Sequence, residues 1–275
     1  MYQNILECIR YYGIQGKALT EPEIVRYITS QTTTTQLRSI LDDLVHEGKL
    51  VKEGGRHALT AHQGILANFA KREIETEKKR AQIALYLSLL KLIPWIQYIG
   101  LTGSCGISNA AVYDDVDLMI ITSPNRLFIS RLIAISISLV LGLKRRRGVP
   151  SDPGKVCMNL WLDESDLRVP PSKRSLYAAR ESAQMRPLYD KAGTTYHRFF
   201  YENEWISNYL PNVHVEKAPH IALHHRMDDL PRRVLDILEL LSKKLQLRIM
   251  RAHQTTELVT ATQLWFHPLD RSHLS

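Results

Sequence analysis

Two apolar runs, WIQYIGL at 95–101 and VDLMIIT at 116–122, constrain the fold of this chain more than any other feature. Both are rich in β-branched and aromatic residues and too short for a globular helix, so each predicts a buried strand. A third run of this kind, KVCMNLWL at 155–162, follows an apolar helical pattern at 125–143. Strands interleaved with helical patterns predict a core that combines both.

The segment between the first two strands carries the chemistry. Thr102-Gly103-Ser104-Cys105-Gly106 leaves the first strand, a loop able to bring backbone close to a ligand. Asp115-Val116-Asp117 opens the second. Side chains at i and i+2 of a strand share a face, so Asp115 and Asp117 project together. Paired carboxylates repel each other, and Mg²⁺ or Mn²⁺ is the natural neutraliser. A hydroxyl and backbone N–H groups at Gly103 and Ser104 would suit a phosphate. Together these are the parts of metal-assisted phosphoryl or nucleotidyl transfer.

The segment IGLTGSCGISNAAVYDDVDLMIIT, residues 99–122, resembles the nucleotidyltransferase superfamily typified by DNA polymerase beta. With looser similarity through the helix at 125–143 and the strand at 155–162, the resemblance covers about a quarter of the chain. It implies an α/β (α+β) fold built on a small mixed sheet, Mg²⁺ (or Mn²⁺) held by Asp115 and Asp117, and an NTP whose β- and γ-phosphates rest on Gly103 and Ser104. It also implies attack of an acceptor hydroxyl on the α-phosphate. Arg131, on the following helix, is a candidate for the triphosphate, with a surface role as its alternative. The superfamily's third carboxylate falls at Asn159, which offers a carbonyl oxygen but no charge and no base. Alternation predicts that Cys157, Asn159 and Trp161 share the aspartates' face, while Val156, Met158 and Leu160 face the core. Asp163 lies two pleats beyond Asn159. A catalytically degenerate, nucleotide-sensing domain in a regulator is the alternative to an active enzyme.

Ahead of this core, helical spacing covers 2–12, and Thr20-Glu21-Pro22-Glu23 reads as a capping box opening a helix at 21–29. A third helix is predicted at 33–47. The segments 49–52 and 57–60 flank Glu53-Gly54-Gly55-Arg56, a hairpin signal. Three helices and a hairpin resemble a winged helix-turn-helix. Residues 1–60 carry 7 basic and 7 acidic residues, so they supply little phosphate affinity, and an interaction role competes with weak nucleic-acid binding. A connector helix is expected at 61–95, the nucleotidyltransferase core at 96–170, and a helical region at 171–275 whose Trp205 and Trp265 shape an acceptor pocket. The acceptor itself stays open between an RNA end, a protein and a small molecule.

Other readings are weaker. Gly100, Gly103 and Gly106 do not spell a dinucleotide fingerprint, and no Walker lysine follows. His220, His224 and Asp228 have helical spacing for zinc but more often face solvent. Leu132–Leu143 precedes the basic run Lys144–Arg147 but falls short of the roughly 20 residues needed to span a membrane. Three scattered cysteines and no leader-like start suggest a reducing, cytoplasmic setting without membrane insertion. The net charge of +8 favours an anionic partner.

Overall fold

The computed structural model describes residues 1–146, 149, 151–213, 231–251 and 257–266. His220, His224 and Asp228 lie outside the described residues. Within them the chain is mixed α/β, with one antiparallel and one mixed sheet.

The first part contains α1 (Tyr2–Ile14), the short β1 (Leu19–Thr20), α2 (Glu21–Tyr27), α3 (Thr34–His46), β2 (Leu50–Glu53) and β3 (Arg56–Leu59). Local chemistry explains the boundaries. Thr20 and Glu23 form a reciprocal capping box at α2, and Thr33 and Gln36 do the same at α3. Gly54 and Gly55 both take positive φ (55° and 74°), the conformation a two-residue hairpin turn requires. The strands order β1-β3-β2.

The expected connector helix at 61–95 is three pieces instead. Residues 60–68 are 3₁₀, followed by α4 (Phe69–Gln82) and α5 (Ala84–Lys91), with Ile83 non-helical between them. Burial dictates the break. Thr76 and Lys79 of α4 are buried against the 107–114 loop, where Lys79 Nζ donates to the Val112 and Asp114 carbonyls at 3.0 and 2.8 Å. Ile83, Tyr86 and Leu90 instead enter a different core, which a straight helix would not reach.

The second sheet contains β4 (Ile96–Leu101), β5 (Val116–Thr122) and β6 (Val156–Asp163). Between them lie the four-residue α6 (Gly103–Gly106) and α7 (Leu127–Val140). Next come α8 (Leu176–Gln184), β7 (Arg186–Asp190), α9 (Thr195–Glu202), α10 (Trp205–Tyr209), α11 (Arg232–Arg251), β8 (Leu258–Val259) and β9 (Gln263–Trp265). Strand order is β7-β4-β5-β6-β9-β8, with β5 and β6 parallel and the other pairs antiparallel. Residues 171–275 are therefore not a separate helical region, because they contribute β7, β8 and β9 to the central sheet. These strands are two to five residues long, too short to interrupt a helical pattern.

Helices cover both faces. Val116, Leu118 and Ile120 pack with Phe128 and Ala134 of α7, whereas Met119 and Ile121 pack with Ala179, Phe199 and Ile206 of α8–α10. That second core continues into Ile5, Tyr12, Ile24 and Leu41 of the first part. Polar contacts reinforce the junction: Lys17 Nζ donates to the Ile107 carbonyl at 2.8 Å, and Arg26 Nε to that of Ala183 at 2.9 Å. No helix among the described residues is long and apolar enough to cross a membrane.

Candidate functional site

Asp115 and Asp117 stand at the start of β5, on the Met119 face. One ligand atom from each, with Cys157 Sγ of β6, forms a group whose members all lie within 4.8 Å of one another. The parallel pairing places Asp117 opposite Cys157. Burial, then repulsion from Asp117, pushes the Asp115 carboxyl up to about 6 against the pull of Arg145. Burial likewise pushes Asp117 up to about 6, opposed by a hydrogen bond from Asn159. Cys157 is raised to about 12 by burial and by the charge of Asp117, so it is a neutral thiol.

Asn159 is where alternation places it: its amide donates to Asp117 Oδ1, while its own Oδ1 accepts from Cys157 Sγ at 2.6 Å. The rest of the strand departs from the expectation. Register slips between Asp117/Cys157 and Met119/Leu160, a bulge with one extra residue on β6. Beyond it the faces exchange. Leu160 joins the Asp117 side, and Trp161 packs on the α7 side with Val156 and Met158. Asp163 is no distant ligand; it accepts from the backbone of Asn125 (2.7 Å) and Ser165 (2.9 Å), fixing the turn after β5.

Gly103 adopts φ +60°, and a Cβ there would collide with Asp117 Oδ2. Only glycine permits this approach of the loop to the carboxylate. Ser104 Oγ donates to Asp114 Oδ2 at 2.7 Å, and the same oxygen accepts the Ala111 N–H at 2.8 Å, so this hydroxyl is committed to shaping the loop. Cys105 is a buried thiol, as its small size suggests. Arg131 is not brought to the carboxylates. It donates to Gln246 Oε1 (2.6 Å) and lies 4.7 Å from the Phe266 ring centre, tying α7 to α11 and the chain after β9.

The cation that does reach the site is Arg145. Its Nε lies 2.8 Å from Asp115 Oδ2, and its other nitrogens donate to Cys157 Sγ (3.0 Å) and the Val149 carbonyl (2.8 Å). The basic run at 144–147 is visible in the sequence, and topology gives it meaning. A crossover between parallel strands must return the chain to the end where the first strand began. The residues before β6 therefore lie beside those before β5, and a bridge between Lys144 and Val156 marks that return.

A cavity of about 250 Å³ adjoins Asn159 and Thr102. Its walls are largely apolar, including Met119, Leu160, Met185, Phe199 and Trp265, with Lys173, Arg174 and Glu181 as its charged contributors near α8. Trp265 lines it. Trp205 does not; it is buried with its indole N–H on Asn203 Oδ1.

The donor set fits a hard divalent cation through the two carboxylates, whose shared burial leaves negative charge undercompensated. The neutral thiol adds little for such an ion. Arg145 already supplies one positive charge to Asp115. In comparisons with known proteins, no family model, curated protein or solved structure matches the chain.

Proposed function

We propose that the chain is a divalent-metal-dependent nucleotidyltransferase that moves a nucleoside monophosphate from an NTP to an acceptor hydroxyl. The observation that carries this reading is the pair Asp115 and Asp117, half-buried together on one sheet face beside the Gly103 loop and a ligand-sized cavity. Asp115 and Asp117 hold Mg²⁺ or Mn²⁺; when bound, the cation neutralises charge developing on the transferred phosphoryl group. Gly103 brings the loop backbone against the carboxylates. Asn159 orients Asp117 through its amide. The cavity beside Asn159 receives the acceptor.

The first 59 residues support a winged-helix-like reading through their three helices and Gly-Gly hairpin. Their role is docking rather than phosphate binding. Arg38 of α3 is paired with Glu21 at 2.9 Å, and the same helix exposes Asp42 and Asp43. Such a surface repels a polyanion.

One observation favours the second reading, a nucleotide-sensing domain without turnover. Arg145 pairs with Asp115, and the third carboxylate position is Asn159. Incubation with each labelled NTP, Mg²⁺ and a cell extract separates the two. Metal-dependent pyrophosphate release with label transfer is expected for the enzyme, and NTP binding with no pyrophosphate identifies the sensor. Absence of both NTP binding and turnover removes the nucleotide from either account.

A further inference from the structure

The amphipathic pattern of α11 is inverted. The face it turns to the protein carries Leu235, Ser242, Gln246 and Met250, two of them polar. Val234, Ile237, Leu238, Leu241 and Leu245 are exposed instead, by 39–58%. At 100° per residue these five fall within an arc of about 100°, a continuous stripe along the helix. Exposed leucines are ordinary one by one; a stripe over several turns marks an interaction face.

Charge says what the face meets. Exposed Arg233 and Lys244 run along one border of the stripe, and exposed Arg248 lies within it. The acids of this helix lie off the stripe and are already paired. Asp236 pairs with Arg126 at 2.9 Å, and Glu239 accepts the Phe128 and Ile129 N–H groups at 2.9 and 2.8 Å. Arg233, Lys244 and Arg248 have no carboxylate partner among the described residues.

We propose that α11 is an interfacial helix that docks this protein on an anionic lipid surface, its leucine stripe among the acyl chains and its arginines and lysine on headgroup phosphates. A convex helix face suits a deformable bilayer. A second copy of the chain fits poorly, because a two-fold contact on this face would bury Arg248 against a stripe that carries no carboxylate. No spanning helix is involved, consistent with the hydropathy of the chain.

Sedimentation of the full chain with vesicles of phosphatidylcholine alone, or mixed with phosphatidylglycerol, tests this. Binding to the mixed vesicles is expected, weakening as salt rises. The pair Leu241→Glu and Leu245→Glu should reduce it by about tenfold or more, at unchanged circular dichroism. A second pair, Lys244→Gln and Arg248→Gln, leaves the stripe intact and should lose the preference for anionic vesicles. No sedimentation, or equal sedimentation with neutral vesicles, overturns the proposal. So does a lipid-free dimer in analytical ultracentrifugation that the two glutamates dissociate, since the stripe then belongs to a second copy.

Discussion

The N-terminal helices and the start of β5 both place carboxylates beside arginines, and the two places treat them oppositely. Glu21 is a lone half-buried carboxylate, and hydrogen bonds from Arg38 and Lys52 hold it below the usual range. Asp115 and Asp117 are half-buried side by side and pushed up to about 6 even with Arg145 alongside. The first arrangement is inexpensive and stabilises little. The second costs folding free energy, and a fold retains such a cost where the charges have work to do. The difference teaches that desolvation and a second carboxylate, more than the presence of an arginine, set what a carboxylate contributes.

The largest expected effect breaks the comparison at its buried end. Asp117→Asn should lower nucleotidyl transfer by at least about 10²–10³-fold, the usual scale for losing one charge-stabilising group. The fold should persist, because an asparagine oxygen can still accept from Asn159. Pyrophosphate release and circular dichroism check both statements together. Near wild-type transfer would remove this pair from the chemistry and leave its burial without a functional reason.

Next in size is Gly103→Ala. The new methyl must displace the Asp117 carboxylate while the backbone keeps φ +60°. A loss of about 2–3 kcal/mol is expected from clash and backbone strain together, read from urea unfolding midpoints. Glycines in open turns give a control: Gly55 has a positive φ and nothing near its missing Cβ, so Gly55→Ala should cost less.

These two regions also differ in how far the sequence disclosed them. The N-terminal unit was legible almost residue by residue, because capping boxes and a Gly-Gly turn are local signals. At the site, Asp115, Asp117, Gly103 and Asn159 could be placed from strand alternation. Arg145 could not, because its position depends on a crossover that closes far along the chain. The bulge in β6 was also hidden: KVCMNLWL alternates acceptably in either register, and only pairing with β5 reveals the extra residue. Arg131 misled because it follows the DxD strand, yet α7 packs on the opposite face. β7, β8 and β9 were missed because their identity as strands comes from the neighbours they pair with rather than from their own composition.

The pH dependence sharpens the contrast further. Carboxyls raised to about 6 bind protons more tightly in the folded state than in the unfolded chain, where aspartate titrates near 4. Folding therefore loses stability as pH rises from about 4 to about 6 and is level above that. With metal chelated, stability of the wild type minus that of the Asp115→Asn, Asp117→Asn double variant should fall over this window, by at most about 3 kcal/mol per carboxyl. The subtraction cancels surface groups such as Glu21. A flat difference would mean that the pair is better solvated, or better matched by Arg145, than its burial indicates.

The smallest effect belongs to the surface pair. Arg38 is 61% exposed, and Lys52 stays within 3.2 Å of Glu21 when Arg38 is gone. Arg38→Ala should therefore cost no more than about 0.5 kcal/mol, and less at high salt. Its sign with pH runs against that of the site. Glu21 is depressed, so its small contribution is present above the unfolded value and fades as pH falls through the folded one. Thermal unfolding at neutral and acid pH, with and without added salt, measures all three statements. The same variant tests the docking role proposed for α3: the wild type and Arg38→Ala should both show no measurable binding to duplex DNA. A loss above about 2 kcal/mol on removing Arg38 would mean that this ion pair behaves like a buried one, and a desolvated carboxylate pair would no longer be what sets the site apart.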